Sequence, residues 1–181
     1  MYDFIERSTA CSEWLKDSMF SETVKKALIE AGWTPNRKID ITQYENALIN
    51  IGYDVPKVLK DFLTEFGGLY LKTPHLTEPT PELLKEYPLL RKRSPYQILH
   101  FDVMDAIMPG EVPMSKEEIF EPRVGEDMIL FGEIWDGRYR LYMTPLGKLY
   151  ARTVDSILFL GNNYIEMLEN EYNRVRVIEI P

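Results

Sequence analysis

His100, Asp102 and Asp105 are the residues whose types and spacing come nearest to a reactive set. They lie in the run His100-Phe101-Asp102-Val103-Met104-Asp105. On a strand, His100 and Asp102 share a face, and Asp105 would complete three ligands for a divalent metal ion. The plainer reading is a half-exposed strand with solvated polar groups. We prefer it, because a metal site needs a supporting second layer as well as its ligands. His75 is isolated among prolines, and the chain has only 2 histidines. Cys11 has no histidine near it in sequence, so no nucleophile and base pair is evident. The adjacent acids Glu117/Glu118 and Glu126/Asp127 would need one raised pKa for acid–base work, and they read as solvated faces. No GxSxG, HExxH or GxxxxGK[ST] pattern is present. Gly67-Gly68 follows a helical pattern and is a helix stop, not a phosphate loop. The expectation is a non-enzyme with no cofactor and no metal.

Composition narrows the alternatives. The 181 residues suit one domain with an ordinary core. With 11 Tyr, 8 Phe and 3 Trp, the chain is too aromatic to be disordered. One cysteine cannot form an internal disulfide. The N-terminus has no basic segment followed by an apolar run, so no secretory signal is expected, and no apolar stretch reaches bilayer length. The cytoplasm is the expected compartment. Net charge is −8 and lies unevenly. Between Asp102 and Asp136 there are 10 acids and 2 bases, Lys116 and Arg123. Such a field disfavours nucleic acid and anionic membrane and suits a basic protein partner, although acidity also serves plain solubility.

The elements around these residues carry their own signals. Ser21 as a cap, then Val24, Ala27, Leu28 and Ala31 on one face and Gly32 as a stop, predict a helix over 22–31. Thr42 with Glu45 three residues on predicts a capping box, and Tyr44, Ala47, Leu48 and Ile51 the helix it opens. Pro56 is expected at the first position of a third helix, whose face is Val58, Leu59, Phe62, Leu63 and Phe66. Leu69–Leu71 reads as a strand, 73–95 as a proline-rich loop with one short helix near 82–87, and Gln97–Val103 as a strand. Ser115 to Glu118 predicts a short helix at 116–120. From Asp127 the pattern is β: Met128–Phe131, a hairpin at Asp136-Gly137, Tyr139–Met143, a turn at Pro145–Lys148, then Leu149–Arg152. Asn162 or Asn163 caps a last helix with Tyr164, Leu168 and Tyr172 on one face. Arg174–Ile180 is an edge strand or a tail. The expected class is α+β: N-terminal helices on a mainly antiparallel sheet, with a C-terminal helix. Residues 1–20 form an extension and 21–181 a single domain.

Three stretches are similar, in order and spacing, to one known family. They are Ala31-Gly32-Trp33-Thr34-Pro35-Asn36-Arg37, then Phe62-Leu63-Thr64-Glu65-Phe66-Gly67-Gly68-Leu69, then Gly147-Lys148-Leu149-Tyr150 with Leu160-Gly161-Asn162-Asn163. Together they resemble the third subgroup of the SUKH superfamily, with its Smi1/Knr4-like fold, over roughly Ser21 to Tyr172. Members are mostly bacterial immunity proteins that accompany polymorphic toxins. Gly32, Trp33, Pro35, Arg37, Phe62, Phe66, Gly67 and Gly68 then form a structural signature. Gly32 and Gly67 are expected at positive φ, Trp33 where the first helix meets the sheet, and Arg37 on a carboxylate or carbonyls.

The resemblance implies an immunity protein that occludes a cognate toxin, such as a nuclease with a basic groove. Its contact surface is expected to use Glu117, Glu118, Glu121, Glu126, Asp127, Glu133 and Asp136, with exposed aromatics as anchors. The expected partner is a toxin's C-terminal domain, with the protein itself a monomer or weak homodimer. The alternative is a regulatory or scaffolding module that binds an endogenous cellular protein.

Overall fold

In the computed structural model the described residues are 19–74, 85–86, 96–107, 121–134, 138–153, 156–173, 175 and 178–181. Among the described residues three helices come first: α1 (Glu22–Glu30), α2 (Thr42–Asn50) and α3 (Lys57–Phe66). Strands β1 (Tyr70–Pro74) and β2 (Tyr96–His100) follow, then the short α4 (Val103–Ala106) and α5 (Glu121–Val124). Strands β3 (Ile129–Ile134), β4 (Tyr139–Met143), β5 (Leu149–Arg152) and β6 (Ile157–Gly161) lead to α6 (Tyr164–Asn173) and β7 (Ile178–Ile180). This is the α+β arrangement that the sequence predicts.

The seven strands make one antiparallel sheet in the order β1-β2-β3-β4-β5-β6-β7. Each strand pairs with its neighbour in sequence, so the sheet is a meander. Helix α6 crosses back and packs on both β6 and β1. The hydroxyl of Tyr172 on α6 donates to the carbonyl of Lys72 on β1 at 3.0 Å. One helix thus ties the far end of the meander to its first strand.

The core between helices and sheet is aromatic. Phe62 meets Phe101 and Phe131 edge-on at 5.1 and 5.3 Å, and Tyr164 packs on Phe62 and Phe66. Each fully buried phenylalanine stabilises the fold by roughly 1.5–3 kcal/mol. Phe20, just before α1, joins this cluster against Trp33, Phe66 and Tyr164.

Several local expectations hold. Ser21 accepts from the Val24 amide, and Asn163 accepts from the amides of Ile165 and Glu166. Others are corrected. Asp40, and not a Thr42/Glu45 capping box, accepts from the Thr42 amide and hydroxyl at 2.9 and 2.6 Å. Glu45 instead pairs with Lys60 on α3. Pro56 stands one position earlier than expected, as the N-cap residue of α3. The strand expected over 97–103 ends at His100, because Asp102 caps α4 by accepting from the Met104 amide at 2.8 Å. Strand β6 was not anticipated. The helix expected at 116–120, most of the loop 73–95, Cys11 and His75 lie outside the described residues, as does Asp136-Gly137. The strands on either side of that turn pair as a hairpin.

Candidate functional site

The Trp33–Arg37 turn is fastened to the end of α3. Trp33 is 1% exposed and stacks parallel to Phe66, and its indole N–H donates to Glu65 Oε1 at 3.2 Å. It therefore packs against the end of α3. Arg37 donates to the Glu65 carbonyl at 2.7 Å and the Gly67 carbonyl at 2.9 Å. These carbonyls lack partners within the helix, and a planar guanidinium can hold two at once. Gly32 has φ +93, as expected, whereas at Gly67 the expectation is corrected. Gly67 has φ −54, and Gly68 carries the positive φ of +73. Gly67 is needed for space, since a Cβ there would lie 2.5 Å from the Leu63 carbonyl oxygen. Phe62 and Phe66 are core residues. These contacts fasten the turn after α1 to the end of α3.

His100, Asp102 and Asp105 do come together, with one ligand-capable atom from each within 4.8 Å of the others. Both aspartates already carry bonds within the protein. Asp102 Oδ1 caps α4, and Asp102 Oδ2 accepts from the Tyr44 hydroxyl at 2.9 Å. Asp105 accepts from the Tyr70 hydroxyl at 3.2 Å and lies 3.6 Å from His100 Nδ1. The Tyr70 ring stacks on His100 with centroids 3.4 Å apart. Burial pulls the His100 pKa down, and the two aspartates offset only part of this, so the ring is neutral near pH 7. The cluster joins α2, α4 and the first two strands, and it fixes Tyr70 as a half-exposed surface ring. Tyr96 lies on the same face, with Lys72 over it at 5.2 Å. Neighbouring Met104 is also exposed.

The acids expected at the contact surface have separate fates. Glu117, Glu118 and Asp136 lie outside the described residues, and Glu121 is in α5. Glu126 is half-buried and ion-paired with Lys148, which lowers its pKa. Glu133 stands on β3 directly opposite Arg140 of β4 and His100 of β2. Asp127 is exposed and lines a groove with Asp54. The sequence reading missed Asp54, which lies in a short connection far along the chain from the acidic run. No helix among the described residues is long and apolar enough to cross a membrane.

Residues 20–171 match the family model described as SUKH-3 immunity protein. The chain belongs to the SUKH-3 immunity protein family. The match spans the Trp33–Arg37 turn, the α3 stop and the whole meander through β6. No curated protein and no solved structure matches the chain. In this SUKH-3 protein Trp33 and Arg37 join the turn after α1 to Glu65, Phe66 and Gly67 at the end of α3.

Proposed function

We propose that the protein is an immunity protein that neutralises a cognate bacterial toxin by forming a stoichiometric complex over the toxin's active site or substrate groove. The family match over 20–171 carries this reading. The arrangement of side chains supports it. The most reactive-looking cluster is engaged in capping α4 and holding Tyr70, while half-exposed tyrosines and a methionine stand ready as desolvated anchors. The acidic balance of −8 favours a basic partner surface, such as the groove of a nuclease. The toxin would be the C-terminal domain of a larger protein, met in the cytoplasm by this chain as a monomer or weak homodimer.

The test is rescue of growth. The C-terminal domain of a large protein encoded beside this one is expressed alone in a host cell, then together with this chain. Toxicity that is relieved, with a 1:1 complex on purification, is the expected result. A toxic domain that is neither relieved nor bound would overturn the reading.

A further inference from the structure

The connection between α2 and α3 lies against the start of β3 and the β4–β5 turn. Val55, Pro56, Ile129 and Pro145 give the groove between them an apolar lining, and Asp54 and Asp127 add two carboxylates. Its volume is about 630 Å³, and it is open to solvent. That is within the roughly 300–1,000 Å³ typical of sites that hold a small ligand. Both aspartates are exposed. Three cations of the adjoining segments are committed elsewhere, among them Arg123, which donates to the carbonyls of Ile180 and Pro181. Lys57 pairs with Asp61 one turn along α3, and Lys148 pairs with Glu126. Among the described residues neither aspartate forms an ion pair.

The walls are held in place before any partner arrives. Tyr53 is buried, and its amide donates to the Leu48 carbonyl at 3.0 Å. The turn is closed by the Thr144 amide on the Lys148 carbonyl at 2.9 Å and the Gly147 amide on the Thr144 carbonyl at 2.9 Å. Gly147 takes φ +86 to allow it. Directly after Pro145, Leu146 is 76% exposed, the most exposed of the large apolar side chains among the described residues.

Two uncompensated carboxylates on an apolar groove complement a cation carried on a long aliphatic stem. We propose that this groove receives an arginine or lysine side chain of the partner, its stem on Val55, Ile129 and Pro145, its charged head at Asp54 and Asp127, and a neighbouring apolar residue on Leu146. The identity of the partner as a toxin rests on the immunity reading, whereas the chemistry of the groove does not. A rigid cleft with one sign of charge both speeds encounter and rejects acidic segments.

The experiment uses the full chain, ¹⁵N-labelled, with acetyl-Arg-Leu-Arg-amide as probe and acetyl-Glu-Leu-Glu-amide as control. Saturable shifts at Gly52–Val55, Asp127–Ile129 and Leu146 with the basic peptide alone are expected. The Asp54→Asn/Asp127→Asn double variant, whose own spectrum reports whether it is folded, should bind roughly tenfold more weakly or worse. No saturable shift, equal shifts with the acidic peptide, or shifts centred elsewhere would overturn the proposal. An unfolded double variant leaves the wild-type titration with the two peptides to decide. The growth-rescue assay with wild type separates the two ideas. Rescue without groove shifts removes the groove and keeps the immunity reading, while groove shifts without rescue do the reverse.

Discussion

At Gly67 a methyl group would sit 2.5 Å from the Leu63 carbonyl and 3.1 Å from both Ile39 and Tyr44. Gly67→Ala is therefore expected to destabilise the protein by about 1–3 kcal/mol through overpacking, read as a lower urea midpoint. Gly32→Ala meets open space but keeps a φ of +93, so its smaller loss, roughly 1 kcal/mol, is backbone strain alone. A second residue-scale effect lies at Glu171, which is 1% exposed on the inner face of α6. Burial raises its pKa from 4.5 to about 7, and hydrogen bonds with Gln97 and Thr73 offset only part of this. Gln97 Oε1 is a buried acceptor without a partner. Protonation of the carboxyl turns one acceptor into a donor. Because the folded state holds this proton more tightly than the unfolded state, the contribution is most favourable below pH 4.5. It is lost as the pH rises through about 7. Glu171→Gln should remove that slope and raise stability at pH 8, by on the order of 3 kcal/mol. Denaturant titrations at pH 5 and pH 8 check it, and an unchanged pH dependence would refute it.

Among the elements, α2 shows how a start signal can be read from the wrong residue. Thr42 and Glu45 have capping-box spacing, but Asp40 is two residues upstream, and its carboxylate reaches both the Thr42 amide and hydroxyl. Those bonds also hold its pKa down, chiefly the one from the Thr42 side chain. Asp40→Ala should lower the melting temperature by a few degrees through loss of the cap. Glu45→Ala should cost less, because it breaks only a half-exposed pair with Lys60. The three long helices before the sheet were legible since each has a periodic apolar face and a glycine stop. The β3–β4 hairpin was legible from Asp136-Gly137. Strand β6 was not, because Ile157-Leu158-Phe159-Leu160 has no polar alternation to mark a strand. It lies inside the sheet with β5 on one side and β7 on the other. The strand expected through Val103 failed for a local reason, since Asp102 turned from a strand residue into a helix cap.

For the whole molecule, the family signature spoke to architecture, and the candidate surface was only partly legible. Charge counted along the chain located Asp127, but pairing decides which acids remain available. Lys148 occupies Glu126, and Arg140 stands opposite Glu133, facts that only the register and the β4–β5 turn supply. Asp54 enters the same groove from a loop more than seventy positions away in the chain, which no local window detects. Reversing both groove charges, Asp54→Lys with Asp127→Lys, should abolish protection in the rescue assay while Glu126→Gln leaves most of it. Equal loss in both would point to a diffuse field instead of a seat for one side chain. The meander also has two outer borders, and both are guarded. On β1, Tyr172 occupies the Lys72 carbonyl and Pro74 offers no amide. On β7, three residues long, Arg123 holds the carbonyls of Ile180 and Pro181 at 3.0 and 2.7 Å. A chain that approached to extend the sheet would meet these backbone groups already engaged. Capture of a toxin by strand donation is thereby discouraged, as is the templated self-association that open borders invite, and recognition is left to side chains.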